Sequence, residues 1–357
     1  MSGGDWTQTD VLRTPMEVCW QFDYEIGIDK LRNLYDKAKR DQWDAARDID
    51  WSREIDPSRP LMDEAQMVVT RLAFFGRLSK SQKELFRAHM SAHVLSQFLH
   101  GEQGALMTSA ALTHAVPDYE GKLYAATQTM DEARHVEVYE RYIRKLAIVY
   151  PITPSLKNVI DVTLKADHWV KIAIGMNMVV EGLALAAFHN MRRATTCDTL
   201  REITESVLRD ESRHVAFGNV YVGKTMAEMH ADDREDVAEF AFDAVKLLSD
   251  AQGGPDGRAR RGPDPGFVQM LHNTGVDVGD FVRDLKQAAP GLRTELPPGQ
   301  VHSFRDLMMP ALVRVGAVTE RSRELYAEAG IPVWEDARRL EELENANTGE
   351  IEIPRAS

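Results

Sequence analysis

The sequence predicts an all-α protein whose core is a bundle of four long helices. Four long stretches between residues 82 and 229 are typical of helices, and prolines fall between these stretches rather than inside them. The peptide Asp-Glu-Ala-Arg-His at 131–135 returns as Asp-Glu-Ser-Arg-His at 210–214. The repeat indicates a bundle made of two equivalent halves.

The helices are expected in three parts of the chain. Residues 1–60 form a polar arm and a first helix at 26–47, and Pro57 and Pro60 close this part. The core, residues 61–230, holds five helices at 62–78, 82–112, 119–149, 155–193 and 198–229. The extension, residues 231–357, holds a helix at 232–249, an exposed Gly- and Pro-rich loop near 253–266, and shorter helices beyond it.

A glutamate precedes each copy of the repeat by the same distance. The interval from Glu102 to Glu132 equals the interval from Glu181 to Glu211. A chain that leaves a site along one helix and returns along the next spends equal lengths out and back, here roughly fifteen residues or about 22 Å each way. The spacing therefore predicts two antiparallel helical hairpins that face each other.

Each hairpin supplies half of a metal site. Residues three apart share a helix face, so each Glu-x-x-His presents an oxygen and a nitrogen ligand in one direction. Four carboxylates inside an apolar bundle take up protons unless a cation lies between them. The sequence therefore predicts a dinuclear metal site. Its six predicted ligands are Glu102, Glu132, His135, Glu181, Glu211 and His214.

The other charged residues of the repeat are expected to support these ligands. Asp131 and Asp210 are expected to accept the second ring N–H of the histidines, which fixes the tautomer that binds metal. Arg134 and Arg213 are expected to neutralise the aspartates at the periphery of the site. A single Glu-x-x-His more often belongs to a solvated helix face, and the duplication favours the metal site over that alternative.

Small residues around Glu102 and Glu181 indicate either close helix approach or room for a bound molecule. The apolar residues expected to line such a space are Leu99, Leu106, Ala126, Leu185 and Phe188. Tyr139, one turn after His135, is a candidate redox-active residue, with core packing as the alternative. Four other histidines are expected to be ordinary helix residues without metal: His89, His93, His100 and His189.

Composition excludes several classes of partner. The formal charge of −13 and the pI near 5.4 leave no basic surface for nucleic acid. No basic start followed by an apolar run opens the chain, and no eighteen apolar residues follow one another without charge, so no membrane attachment is expected. Cys19 and Cys197 are too few for a disulfide framework. These features predict a cytoplasmic protein.

With these residues, the chain resembles the ferritin-like di-metal carboxylate superfamily. Its members include bacterial multicomponent monooxygenase hydroxylases, the ribonucleotide reductase small subunit and related ligand-binding oxidases. The resemblance covers about residues 26–229 and implies a ferritin-like four-helix bundle with flanking helices. The doubled Asp-Glu-x-Arg-His and Glu102 look most like the monooxygenase branch, although Leu185 stands where those enzymes often carry a threonine.

Other residues resemble the reductase branch. Tyr139 occupies the position of the radical tyrosine, and Trp43 resembles the electron-transfer tryptophan of those subunits. The C-terminal residues 352–357 lack the tyrosine that passes the radical onward.

The resemblance implies a dioxygen-activating non-haem di-iron oxygenase that hydroxylates or N-oxygenates a small organic substrate. The implied cofactor is two iron ions, with an Mn/Fe pair as the alternative. A ferredoxin or flavin reductase is the implied electron donor, and a homodimer is expected. The alternative functions are a radical-generating subunit or ligand-binding oxidase similar to the reductase small subunit, and an iron-oxidising storage protein.

Overall fold

The computed structural model describes residues 10–62, 64, 67–251, 264–288 and 299–348. Within these residues the regular elements are helices and no β-strand occurs, so the all-α prediction is confirmed. Four antiparallel helical runs form the core bundle. They are α3 (Lys80–Ala115), α4 (Tyr119–Leu146), the run from α6 (Trp169–Ala173) through a π-helical segment (Ile174–Val180) to α7 (Glu181–Ala194), and α8 (Asp198–Glu228).

The first hairpin of the bundle follows the prediction closely. Ser79 caps α3 by accepting the Gln82 backbone N–H at 3.3 Å, and the Gln82 side chain accepts the Ser79 N–H at 3.0 Å. Val116 and Pro117 then end α3, because proline cannot continue a helix. The α4 helix returns antiparallel, which brings Glu132 beside Glu102.

The single helix expected at 155–193 is wrong. The chain instead forms α5 (Pro154–Leu164), breaks at 165–168, and begins again at α6. The His168 side chain accepts the Val170 backbone N–H at 3.2 Å, which caps a new helix start inside the predicted one. The π-helical segment ends where the Glu181 N–H bonds the Met176 carbonyl, five residues earlier.

Two earlier predicted helices are shorter than expected. The first, α1 (Asp29–Arg40), lies within the expected 26–47, and the Glu120 carboxylate accepts the N–H groups of Gly27 and Ile28 just before it. The expected helix at 62–78 is wrong, because Leu72 has an extended backbone. That residue separates a 3₁₀ turn (Val68–Arg71) from α2 (Ala73–Arg77).

Helices of the C-terminal extension pack against the bundle, including contacts with α3, α7 and α8. The helices of the extension are α9 (Ala231–Ala251), α10 (Pro265–Asn273), α11 (Val278–Ala288), α12 (Met309–Arg314), α13 (Glu320–Glu328) and α14 (Arg338–Thr348). Glu344 of α14 binds Asn219 of α8 and Arg314 of α12. A second π-helical segment, Ser303–Met308, packs on α7.

The exposed loop expected near 253–266 lies largely outside the described residues. Its last two residues are helical rather than loop, because Asp264 caps α10 by accepting the Phe267 N–H at 3.0 Å. The division of the chain into arm, core and extension stays a prediction.

One helical run, Trp169–Ala194, is long and apolar enough to cross a membrane. Its most apolar window is 83% buried inside the protein, because this run is a central member of the bundle. A core helix of a soluble protein has the same length and composition.

Candidate metal centre

The six predicted ligands come together in the middle of the bundle. Glu102, Glu132, His135 and Glu211 form one group, and Glu132, Glu181 and His214 form another. Within each group, the candidate ligand atoms lie within 4.8 Å of one another. None of the six side chains is more than 5% exposed. Glu132 belongs to both groups and therefore lies between two adjacent sites for a cation.

Both histidines turn the same ring atom towards the carboxylates. Nδ1 of His135 lies 3.2 Å from oxygens of Glu102, Glu132 and Glu211. Nδ1 of His214 lies 3.0 Å from Glu132 and 3.6 Å from Glu211. The Nδ1 atoms are therefore the nitrogen donors that this geometry offers to a metal.

The outer ring atom of each histidine faces an aspartate of the other repeat copy. Nε2 of His135 lies 3.2 Å from Asp210, and Nε2 of His214 lies 3.2 Å from Asp131. A hydrogen on Nε2 that bonds the aspartate leaves the Nδ1 lone pair free to bind a metal. Each aspartate thus contacts the histidine of the other hairpin, in the arrangement that the expected support requires.

The two arginines do not lie at the periphery, and this part of the expectation is wrong. Arg134 is 4% exposed and Arg213 is 1% exposed. Arg134 donates to Asp131 at 2.5 Å and to Asp210 at 3.1 Å, and Arg213 also donates to Asp210. The aspartates are themselves buried, so their counter-charges have to be buried with them.

Residues at the end of α1 complete this network, and the repeat gave no sign of them. The Trp43 indole donates to Asp210 Oδ2 at 2.7 Å, and Gln42 Nε2 donates to Asp131 Oδ1 at 3.0 Å. Arg134 donates to the Gln42 side-chain oxygen. The resemblance to the reductase branch pointed to Trp43, whereas no sequence pattern pointed to Gln42.

Two buried amides beside Glu181 were also missed. Gln128 Nε2 donates to Glu181 Oε1 at 2.7 Å, and Asn177 Nδ2 donates to Glu181 Oε2 at 3.1 Å. Each amide residue lies four positions before a predicted ligand glutamate, Glu132 or Glu181. That spacing places it on the ligand face of its helix and was the available signal.

Burial and mutual repulsion alter the acidity of the carboxyl groups. Burial, followed by repulsion from Glu211, raises the pKa of Glu102 and of Glu181 well above the usual range. Burial also opposes ionisation of Glu132, but the two histidines outweigh it and hold its pKa low. A proton on Glu102 or Glu181 thus occupies the place that a cation would take.

Several buried atoms in the cluster have no hydrogen-bond partner. They are Glu132 Oε2, both carboxylate oxygens of Glu211, and His214 Nδ1. Buried polar atoms are normally paired, so orphaned acceptors that converge on one point fit a bound cation. Four carboxylates and two imidazoles are a donor set that suits iron and manganese. The residues present therefore fit a dinuclear iron centre.

Tyr139 lies beside this cluster on α4. It is fully buried, its hydroxyl has no hydrogen-bond partner, and burial raises its pKa well above the ordinary value. Its ring stacks on Phe188 at 5.9 Å between centroids. Tyr124, which sequence analysis did not name, has the same properties and stacks on Phe217 at 4.5 Å.

The five apolar residues that were expected to line a space beside the site differ in burial. Leu99, Leu185 and Phe188 are buried and Leu106 is half-buried, but Ala126 is exposed and cannot line an internal space. Close helix approach explains Gly104, because a Cβ there would lie 2.7 Å from Ile160.

The other histidines take no part in the metal-candidate groups found among the described residues. His89 bonds the Tyr150 hydroxyl at 2.6 Å, and His100 bonds the Tyr150 carbonyl at 2.8 Å. His93 lies 3.7 Å from Asp264, and His189 lies 3.4 Å from Arg339. His189 loses basicity through burial and the neighbouring arginines, which lower its pKa to about 4.

Solved structures match most of the chain, with TM-scores below 0.5. One is a tyrosine-to-phenylalanine mutant of an R2-like ligand-binding oxidase with an aerobically reconstituted Mn/Fe cofactor. It shares 20% identity, with 75% of this chain and 94% of that chain covered and a TM-score of 0.47. Another is an R2-like ligand-binding oxidase with an aerobically reconstituted metal cofactor after photoconversion, at 18% identity, 87% and 95% coverage and a TM-score of 0.45.

Comparison with curated proteins gave no match. A family model, described as P-aminobenzoate N-oxygenase AurF, matches residues 28–273. The matched range includes α1, the whole core bundle and all six residues of the buried carboxylate and histidine cluster. It spans well over half of the 357 residues, and the predicted place in the ferritin-like di-metal carboxylate superfamily is thereby confirmed. The chain therefore belongs to the AurF family of p-aminobenzoate N-oxygenases.

Proposed function

We propose that this protein N-oxygenates an aromatic amine at a di-iron centre held by Glu102, Glu132, His135, Glu181, Glu211 and His214. The predicted oxygenase function, the oxidoreductase class and the two-iron cofactor agree with the family. The observation that carries the proposal is the convergence of six buried ligand side chains within the range that the family model matches. An amine is favoured over a hydrocarbon because the family is named for N-oxygenation.

The chemistry requires two electrons from outside. Insertion of one oxygen atom into an N–H bond gives a hydroxylamine, and the other oxygen atom leaves as water after taking up two electrons and two protons. A bound iron pair supplies the redox change that this reduction of dioxygen needs. We propose a ferredoxin or flavin reductase as the electron donor and the cytoplasm as the location.

The protein side chains contribute geometry and exclude water. Asp131 and Asp210 hold the outer nitrogens of the histidines, so that each Nδ1 presents its lone pair inward. The aromatic rings of Phe98, Tyr139 and Phe188 pack on one another at 5.0 to 6.3 Å beside the Glu102 half of the cluster. They keep this side of the site dry and place apolar surface next to it, which suits an aromatic substrate.

We also propose that the protein is a homodimer and that its N-terminal arm, residues 10–28, forms the interface. Val18, Trp20, Phe22 and Tyr24 alternate along the arm and are 63–75% exposed. Hydrogen bonds hold the arm in place, since the Cys19 N–H donates to the His114 carbonyl at 2.8 Å. The three aromatic rings expose about 400 Å², on the order of half of one partner's share in a standard interface.

Sedimentation equilibrium tests the dimer. The wild type is expected to sediment as a dimer, and a W20E/F22E variant as a monomer. A monomeric wild type, or a variant that stays dimeric, would contradict this assignment of the interface.

Product analysis tests the reaction. The protein is loaded anaerobically with ferrous iron, mixed with p-aminobenzoate and a chemical reductant, and exposed to oxygen. The expected products are the N-hydroxylated and more highly oxidised derivatives, and Glu211→Ala is expected to abolish them. Oxidation of iron in excess of two ions per chain, with the amine left intact, would instead favour the storage function.

A further inference from the structure

We propose that Gln128 and Asn177 form an amide clamp that fixes Glu181 and makes the two metal positions unequal. The position that uses Glu181 and His214 depends on the clamp more strongly than the position that uses Glu102 and His135. The inference rests on the proposed function, because it assumes that the buried cluster binds two ions.

The clamp holds both oxygens of one carboxylate. Gln128 Nε2 donates to Glu181 Oε1 at 2.7 Å, and Asn177 Nδ2 donates to Glu181 Oε2 at 3.1 Å. The two amides are also joined, since Asn177 Nδ2 lies 3.1 Å from Gln128 Oε1. Both amide side chains are fully buried. Glu181 is therefore oriented from two directions inside a site that water does not reach.

The other half of the site has no equivalent clamp. The offset that relates 131–135 to 210–214 also relates Glu102 to Glu181, so these two glutamates are counterparts. Asn177 then corresponds to Phe98, and Gln128 corresponds to Val207. Neither apolar side chain can donate a hydrogen bond, and the His135 atom that lies 3.2 Å from Glu102 is Nδ1, the nitrogen that the geometry offers to a metal. The six ligand residues follow the sequence repeat that relates the two halves of the site, whereas the clamp occurs in one half only.

The backbone around Asn177 is shaped to admit the clamp. Gly218 corresponds to Tyr139 in the repeat, and a Cβ at Gly218 would lie 2.9 Å from the Asn177 Cβ. A glycine is needed at this contact, since real Cβ atoms do not approach so closely. Asn177 also lies inside the π-helical segment that ends at Glu181. Such segments are rare and often mark functional sites.

The clamp has a direct consequence for metal affinity. Hydrogen bonds from neighbouring residues orient metal ligands, and their removal typically weakens metal binding by about 10–100-fold. Asn177 bonds Glu181 alone among the six ligand side chains, so its loss should weaken only the ion that uses Glu181. Gln128 also donates to Glu132 Oε1 at 3.3 Å, and Glu132 belongs to both groups, so its loss should weaken that ion most and the other ion less. The wild type should bind two Mn²⁺ ions per chain, and Asn177→Leu should keep one ion at wild-type affinity and bind the second about 10–100-fold more weakly. Gln128→Met should weaken the second ion by the same factor and the first ion by less.

Anaerobic calorimetric titration of the full chain with Mn²⁺ tests the clamp, with metal content measured after desalting. Val207→Ile changes the counterpart of Gln128 in the other half and should leave both affinities unchanged. Thermal unfolding of each metal-free variant checks its fold. If Gln128→Met or Asn177→Leu does not fold, Gln128→Asn, which withdraws the amide by one methylene, replaces it with the same expectation.

The outcomes separate the clamp from the function on which it rests. Weakening of one ion only in Asn177→Leu, with a larger loss of that same ion in Gln128→Met, supports the clamp. Equal weakening of both ions, or no weakening, overturns the clamp and leaves the proposed function intact. A wild type that binds no ion overturns both.

Discussion

The Asp210 carboxylate lies 3.2 Å from His135 Nε2, although the two residues stand 75 positions apart and belong to different copies of the repeat. Asp131 and His214 make the reciprocal contact at 3.2 Å. Each hairpin thus supports the histidine of the other. Neither half of the site is complete alone, which links correct packing of the bundle to correct ligand geometry.

The contact between Asp210 and His135 predicts which substitutions weaken binding of the same metal ion. Asp210→Asn should weaken the ion on His135 by about 10–100-fold, because the ring loses the partner that fixes its tautomer. In double-mutant cycles of Mn²⁺ affinity, the loss caused by Asp210→Asn should be less than additive with the loss caused by Glu102→Gln. It should be additive with the loss caused by Glu181→Gln. Asp198→Asn, whose side chain is 73% exposed, is the control. If the affinity losses of Asp210→Asn and Glu181→Gln were less than additive instead, Asp210 would not support His135 of the other hairpin.

The Trp43 indole is expected to stabilise the fold through the same aspartate. Trp43→Phe removes the N–H that donates to Asp210 at 2.7 Å, and it leaves a buried carboxylate with one donor fewer. The free energy of unfolding should fall by about 2 kcal/mol in urea denaturation, the size of a hydrogen bond to a charged group. Met130→Leu, at a residue that is 55% exposed, should change it by less than about 0.5 kcal/mol. If the two substitutions changed the free energy of unfolding equally, the Trp43 N–H would not stabilise the fold through Asp210.

Two glycines provide a matched pair for the packing beside the site. Gly218→Ala would place a Cβ 2.9 Å from the Asn177 Cβ, so the free energy of unfolding should fall by about 1–3 kcal/mol. Gly101→Ala meets nothing within 4 Å inside α3, so helix propensity should raise the same quantity by up to about 1 kcal/mol. Chemical denaturation of the metal-free proteins measures both. An unchanged free energy of unfolding in Gly218→Ala would contradict the close contact between residue 218 and Asn177.

The Tyr139→Phe variant tests whether the protein is an oxygenase or a radical-generating subunit. Its buried hydroxyl has no partner, so Tyr139→Phe should leave stability unchanged or slightly higher. As an oxygenase, the variant should keep product formation per iron pair. A tyrosyl radical signal after an oxygen pulse, lost in Tyr139→Phe and kept in Tyr124→Phe, would favour the radical-generating function.

Local patterns account for what the sequence could predict. Glu132 and His135 are three residues apart on one helix, and the duplication of that spacing predicted the six candidate ligands and both hairpins. The break at 165–168 was missed because His168, an unusual capping residue, begins a new helix there.

Contacts between distant segments leave no such pattern. Trp43 reaches Asp210 across 167 residues, and Gln128 reaches Glu181 across 53. The burial of Arg134 and Arg213 likewise follows from the packing of α1 against the bundle, which the repeat does not encode. The convergence of the six candidate ligands could therefore be predicted from the chain, whereas most of the residues that hydrogen-bond to them could not.

Iron stoichiometry tests the central claim most directly. The full chain, loaded anaerobically with ⁵⁷Fe²⁺ and desalted, should hold two ferrous ions by Mössbauer spectroscopy and metal analysis. Glu132→Ala, which removes the carboxylate common to both groups, should lose most of this iron, while Glu205→Ala on the outer side of α8 should keep it. Full iron content in Glu132→Ala, or no iron bound by the wild type, would contradict a di-iron centre at these residues.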